Sequence, residues 1–353
     1  MSLYKGGLTV EIFGESHSER IGARVANMPE TEVDFCKLKE FTDRRKASDG
    51  VFSTTRKEKD EPVFEGIVDG KIDGEYSFVI KNENVRSGDY NELYAKPRPS
   101  HADYAWFLKD GALDFRGGGR FSGRLTAPLC VVGGICKQYL EKKGVYVEAY
   151  VASVGTVCGK SYKDGEISRD ELLRARDDGF PSLDKKEEMK AEIASAKMEL
   201  DSVGGTVECV VYGLEGGYGD NLFGGIEGKI ASLCYAVPAV KGVEFGYGFG
   251  LAEMRGSEAN DPLRFVDGKV KITGNKAGGI NGGISNGAPV TLRVAFRPTP
   301  SIGKIQSTVD LVENKNAEIQ IKGRHDSCIV PRAVPCIESA VAIALTEIIG
   351  ERI

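Results

Sequence analysis

The chain reads as an α+β protein folded as a single domain over residues 1–353, and three observations predict this. Segments with strand-like alternation or β-rich composition recur along the whole length, at 8–13, 21–26, 63–68, 76–80, 146–154, 206–212, 240–245 and 289–296. Helix-like segments lie among them at 34–45, 104–108, 125–136, 182–202, 222–237 and 334–349. With 41% hydrophobic and 28% charged residues, a chain of 353 residues can bury a substantial core, and nothing in its composition marks it as disordered or fibrous.

Each element has a local reason. LTVEIF (8–13) alternates as a strand and runs into the turn Gly14-Glu15-Ser16-His17. Asp34 is a natural N-cap for a helix with Phe35, Leu38 and Phe41 on one face, ending in Asp43-Arg44-Arg45-Lys46. Residues 46–60 are polar and lack periodicity, which predicts a loop. Two strands follow at 63–68 and 76–80 around a Gly-rich turn at 69–74. In 96–103 two prolines stiffen a loop that presents Arg98 and His101. The run 182–202 reads as an amphipathic helix capped by Ser182 and stopped by Gly204-Gly205, and 222–237 has the length and apolar content of a buried helix. Residues 278–287, GGINGGISNG, form a glycine-dense loop able to lie flat against a planar ligand, ahead of a strand at 289–296 and the rigid Arg297-Pro298-Thr299-Pro300-Ser301. Two echoes about 200 residues apart, GLTVEIFG with GTVECVVYG and RLTAPLC with RAVPC, hint at an internal duplication.

The chemistry gathers in a few places. RGGGRFSGR (116–124) puts three arginines and four glycines in nine residues at the start of an apolar helix, the composition of an anion cradle. The formal net charge of -5 argues against a general nucleic-acid or membrane-surface binder, so such an arginine cluster stands out. All three histidines, His17, His101 and His325, sit in turns among polar, Gly, Pro or Arg neighbours, which favours acid–base work over core packing. Eight cysteines without a CxxC pair, mostly in apolar runs, are expected as reduced, buried thiols in a cytoplasmic protein with no signal peptide and no membrane span. GTVCGKS (155–161) imitates a phosphate loop but has three residues between its glycines where the pattern needs four, so a strand-end turn is expected there in place of a nucleotide kinase site.

With these residues in view, the chain resembles the chorismate synthase family over nearly its whole length. The matching blocks are GESHSERIG (14–22), FTDRRK (41–46), RPSHADY (98–104), RGGGRFSGRLTA (116–127), PAVKGVE (238–244), GGISNG (282–287), FRPTPSI (296–302) and GRHDSCIVPRAVP (323–335). The resemblance implies a β-α-β sandwich, a homotetramer, and 1,4-elimination of phosphate from 5-enolpyruvylshikimate 3-phosphate using reduced FMN supplied by an external flavin reductase. By resemblance, His17, His101 and Asp326 are catalytic. Ser16, Arg45, Arg98, Arg124 and Arg324 contact substrate, and Ser122, Gly123, Arg124, Ala239, Gly282, Arg297, Pro298, Thr299, Pro300, Ser301 and Arg324 contact the flavin. The imidazoles would donate protons to the reduced flavin and the departing phosphate, and Asp326 would work with the flavin in removing the ring proton. Arg116 and Arg120 are left with framing roles.

The sequence departs from the family pattern at four places: Val51 stands where an arginine is usual, Ser100 where a glycine is usual, Gly123 replaces the alanine of a Ser-Ala-Arg run, and Arg297 replaces a lysine. Val51 implies a weaker grip on the substrate phosphate or a role for Arg56. The other class of function compatible with these residues is a non-catalytic flavin or polyanion binder on the same fold.

Overall fold

Two five-stranded antiparallel sheets enclose a layer of helices. The computed structural model describes residues 1–46, 59–82, 94–111, 113, 118–176, 179–321 and 326–350. The first sheet is built from β1 (Ser2–Lys5), β2 (Thr9–Phe13), β3 (Arg20–Glu32), β4 (Pro62–Glu65) and β5 (Lys71–Lys81), in the order β1-β2-β3-β5-β4. The second comprises β6 (Tyr146–Val154), β7 (Val157–Cys158), β8 (Gly205–Tyr212), β9 (Val240–Phe245) and β14 (Val290–Phe296), in the order β7-β6-β8-β14-β9. Small hairpins pair β10 (Leu263–Val266) with β11 (Lys269–Ile272), β12 (Ile280–Asn281) with β13 (Ile284–Ser285), and β15 (Gln306–Asp310) with β16 (Lys315–Ile319).

The helices are α1 (Phe35–Asp43), α2 (Asp103–Asp110), α3 (Thr126–Lys142), α4 (Arg169–Arg176), α5 (Lys186–Met198), α6 (Ile226–Ala236), α7 (Gly256–Ala259) and α8 (Val330–Gly350). α3 and α8 pack on each other; α3 covers β3 of the first sheet, and α8 covers β6 and β8 of the second. The sheets and the helix layer share one continuous apolar core, which is the β-α-β sandwich expected from the family resemblance. The helices approach closely because Gly133 leaves no side chain between them: a Cβ there would lie 2.4 Å from the Cα of Ser339. α8 is long and apolar enough, by composition, to cross a membrane, but 94% of its most apolar window is buried inside the protein.

Burial is not wholly apolar. Glu338 of α8 is fully buried and accepts from Arg44 at 2.7 and 2.8 Å, from Lys137 at 2.6 Å and from the Ala149 N–H at 3.1 Å. One carboxylate thus ties the end of α1, the middle of α3 and strand β6 to α8. Arg44 is therefore a structural cation, whereas its neighbour Arg45 turns toward the site.

Several expectations need correction. Ser182 caps no helix: α5 starts four residues later, after Lys185 at φ 45°, and the Ser182 hydroxyl donates to the Asp184 carbonyl. The expected helix at 222–237 begins only at Ile226, because Gly224-Gly225 interrupt it and leave Leu222 and Phe223 exposed. β3 runs on to Glu32 across bulges near Asn27 (φ 61°) and Pro29. The glycine-dense loop 278–287 folds as the β12–β13 hairpin, with Gly282 and Gly283 at its turn. Six of the eight cysteines are buried, while Cys36 and Cys158 are exposed. Each half contributes one sheet and one long central helix, and the cysteines of the RLTAPLC and RAVPC echoes, Cys130 and Cys336, meet at 3.8 Å across the α3–α8 contact. The helix echo therefore agrees with the suggested duplication, whereas the strand echo pairs β2, second in its sheet, with β8, the central strand of the other, and the two do not correspond in position.

Candidate active site

The segment 118–125 forms two tight turns that feed into α3, and the Ser122 hydroxyl caps the second by accepting from the Arg124 N–H at 3.2 Å. This geometry aims Arg124 inward, where it is only 6% exposed. Its Nη1 pairs with one carboxylate oxygen of Asp60, and its Nε donates to the Asn82 side-chain oxygen at 2.9 Å. The other Asp60 oxygen accepts from Arg45 Nη2 at 2.5 Å, and Arg45 is also 6% exposed. Asn82 donates to the Ser18 carbonyl at 2.7 Å, and the Ser16 N–H donates to the Gly119 carbonyl at 3.3 Å, so the Ser16–His17 turn is held against Arg124. The Ser16 hydroxyl is buried and meets no partner among the described residues, a polar group left for a ligand to satisfy.

A second cluster sits at the 96–103 loop. Arg98 grips Asp103 through Nε at 2.7 Å and Nη2 at 2.8 Å, and the same carboxylate accepts from His101 Nδ1 at 2.5 Å. Burial alone would raise Asp103, but hydrogen bonds from Arg98 and His101 outweigh it and hold the carboxyl at about 2. With Nδ1 committed to Asp103, the Nε2 of His101 is the nitrogen that can exchange a proton with a ligand. A cleft of about 920 Å³ opens between Arg98, His101 and Tyr104 on one side and the β15–β16 hairpin on the other.

The chain segment 297–299 lies between the two clusters and bonds to both. Arg297 Nη1 donates to the Ser100 carbonyl at 2.6 Å, its backbone N–H donates to the Ala239 carbonyl at 3.0 Å, and the Thr299 hydroxyl donates to the Asp326 carbonyl at 2.8 Å. The Asp326 carboxylate accepts from Arg332 Nη1 at 2.8 Å, and Arg332 Nε donates to the Arg45 carbonyl at 3.1 Å. Asp326, Arg332, Arg45, Asp60 and Arg124 thus form one hydrogen-bonded run, and the backbone of 297–299 connects it to the loop that carries His101. Gly282 is not drawn into it: Gly283 beside it bonds the start of α6, its carbonyl accepting from the Ile226 N–H at 3.0 Å. Arg324, His325, Val51, Arg56 and Arg116 lie outside the described residues. Arg120 is exposed, stacked over Trp106 at 4.1 Å and paired with Glu15 at 3.3 Å, which fits a framing role. The GTVCGKS segment is engaged in structure: Lys160 pairs with Glu171 at 3.0 Å, and the Ser161 hydroxyl donates to the buried Glu208 at 2.7 Å.

A family model described as chorismate synthase matches residues 8–349. The chain belongs to the chorismate synthase family. It is 42% identical over 344 residues to the chorismate synthase of Thermococcus kodakarensis, covering 96% of this chain and 95% of that protein. With the chorismate synthase of Methanocaldococcus jannaschii it shares 40% over 366 residues, covering 99% and 96%. A crystal structure of chorismate synthase superposes with a TM-score of 0.75 at 25% identity, covering 99% of this chain and 93% of that one.

Within this chorismate synthase fold the departures from the family pattern acquire local meaning. Ser100 sits at φ 58°, a left-handed conformation that glycine adopts without strain. At Gly123 a Cβ would meet nothing within 4 Å, so the position has room for alanine. Four residues of the two clusters carry no role in the sequence reading: Asp60, Asn82, Asp103 and Arg332. Charge counting is the signal that points to the acids, since arginines buried this deeply need carboxylates beside them.

Proposed function

We propose that this member of the chorismate synthase family converts 5-enolpyruvylshikimate 3-phosphate to chorismate by 1,4-elimination of phosphate, with reduced FMN bound and no net redox change. The observation that carries the reading is the hydrogen-bonded run from Asp326 through Arg332, Arg45 and Asp60 to Arg124, with the Arg98–His101–Asp103 cluster tied to it by the chain segment 297–299. It gathers buried cations for a polyanionic substrate with an imidazole and a carboxylate for the two ends of an elimination.

The residues present suit a flavin mononucleotide. Ser122, Gly123 and Arg124 offer a capped turn at the start of α3 for an anionic group, and the space beyond Gly123 is open. Ala239, Arg297 and Thr299 form a connected wall beside Asp326. When bound, reduced FMN supplies the electron-rich ring system that the elimination needs.

The protein's own residues do the rest. Arg45, Arg98 and Arg124, joined by Arg324, neutralise the substrate phosphate and carboxylates, and Ser16 adds a hydroxyl to them. His101 delivers a proton through Nε2 to the departing phosphate, because Asp103 fixes the ring through Nδ1. His17 would hold a proton on the flavin side of the site, and Asp326, oriented by Arg332, takes part in removing the ring proton. Reduced flavin comes from a separate reductase. The enzyme works as a cytoplasmic homotetramer; Phe223, Phe249 and Phe265, exposed at 100%, 85% and 81%, support burial of apolar surface between subunits.

Anaerobic incubation with 5-enolpyruvylshikimate 3-phosphate and photoreduced FMN tests the reading. Release of one phosphate per chorismate formed, with the flavin still reduced at the end, is the expected result. Binding of both ligands without phosphate release would instead identify a non-catalytic flavin or polyanion binder.

A further inference from the structure

Two guanidinium groups buried side by side repel each other, and Arg45 and Arg124 are each 6% exposed. What lies between them is Asp60, 9% exposed, with one oxygen on each arginine. Its backbone is held at φ 52°, a left-handed conformation that a non-glycine residue keeps only where its surroundings impose it. Burial alone would raise its carboxyl, but Arg45 and Arg124 outweigh that and hold it below the usual carboxylate range. Each arginine has a second anchor, Thr126 at 3.4 Å for Arg45 and Asn82 at 2.9 Å for Arg124, so the carboxylate acts on side chains that are already half fixed.

We propose that Asp60 is a positioning residue: it spaces and orients Arg45 and Arg124 so that the pair presents one preformed cradle to the anionic groups of the substrate. This rests on the reading of those arginines as substrate ligands. The geometry separates this role from plain charge neutralisation. If the arginines needed only to be positive, removing the carboxylate charge would strengthen their hold on a polyanion. If their spacing matters, the same change weakens it, because a pair that swings apart no longer meets one ligand together.

The test compares wild type, Asp60→Asn and Asp60→Glu in anaerobic steady-state turnover at saturating reduced FMN, with thermal melts alongside. For Asp60→Asn, KM for 5-enolpyruvylshikimate 3-phosphate is expected to rise by about tenfold or more, with kcat within about threefold, the pattern of lost ground-state binding. Asp60→Glu keeps the charge and both oxygens, and is expected to fall between Asp60→Asn and wild type. A KM that is unchanged or lowered in a folded Asp60→Asn protein overturns the proposal. Should Asp60→Asn not fold, Asp60→Glu decides: a raised KM supports positioning, and a wild-type KM overturns it. Failure of both variants to fold assigns Asp60 to stability and also overturns it. Wild-type protein that releases no phosphate in this assay refutes the proposed activity instead, an outcome distinct from wild-type turnover with an indifferent Asp60.

Discussion

Ser100 occupies a left-handed backbone position at φ 58°, directly before His101, and its carbonyl accepts the Arg297 guanidinium. Ser100→Gly removes that strain and is expected to stabilise the fold by about 0.5–1 kcal/mol, after allowing for the greater freedom of glycine in the unfolded chain. Urea denaturation checks this, and a lower midpoint for the variant contradicts it. Residue-scale chemistry was the most legible layer: His101, Arg98, Arg45 and Arg124 could be picked out because imidazoles in turns and arginines in an acidic chain are unusual. Their partners were not. Asp103 follows His101 by two positions and could have been suspected, but Asp60 comes from the far end of the polar run 46–60 and Arg332 from the first turn of α8. Only the folded chain shows that Arg332 bridges Asp326 and the Arg45 carbonyl.

The central helices cross at a glycine. In Gly133→Ala the new methyl group would press on Ser339 across the contact, whose Cα and side chain would lie 2.2–2.4 Å away. The helices must part, and a loss of about 1–3 kcal/mol is expected from overpacking, read as a lower thermal midpoint with the sheet signal intact in the native state. An unchanged midpoint would mean that α3 and α8 separate freely. Elements with buried faces were readable: β6 matches the sequence expectation at 146–154, and α1 has Asp34 as its N-cap, bonding the N–H groups of Cys36 and Lys37. The β10–β11 and β15–β16 hairpins were missed because Leu263–Val266, Lys269–Ile272 and Gln306–Asp310 lie mostly in solvent and carry no apolar alternation that faces a core. The sequence pattern ends α3 too early, at 136, because Lys137 and Gln138 look like surface residues; both are buried, Lys137 against Glu338 and Gln138 against the N-cap of α1.

At the scale of the molecule, Glu338 and Asp103 couple folding to pH. Burial would raise both, but Arg44 and Lys137 beside Glu338, and Arg98 and His101 beside Asp103, hold each at about 2 against ordinary values of 4.5 and 3.8. Because the folded values are depressed, the unfolded chain binds more protons in this window, and stability rises with pH there. The contribution is complete above the ordinary values and is lost as pH falls from about 4.5 toward about 2. Glu338→Gln should flatten that slope in acid denaturation and, by leaving Arg44 without its carboxylate and Lys137 with only Glu148 at 3.6 Å, lower stability at neutral pH by about 3–5 kcal/mol. An unaltered acid slope would show that other carboxylates control it. The sandwich itself was not legible in the alternation of strands and helices, which pointed only to mixed α and β; it followed from the family resemblance, and the packing of α3 and α8 between the sheets bears it out.

The central proposal is that His101 and Asp326 serve the two ends of the elimination, and a single anaerobic turnover tests it most directly. Phosphate release from 5-enolpyruvylshikimate 3-phosphate would be followed with reduced FMN for wild type, His101→Ala and Asp326→Ala. Each substitution is expected to slow release by about 10²–10⁴-fold while the thermal midpoint stays near that of wild type, since both side chains lie in loops. Folded variants that release phosphate at the wild-type rate would contradict the account.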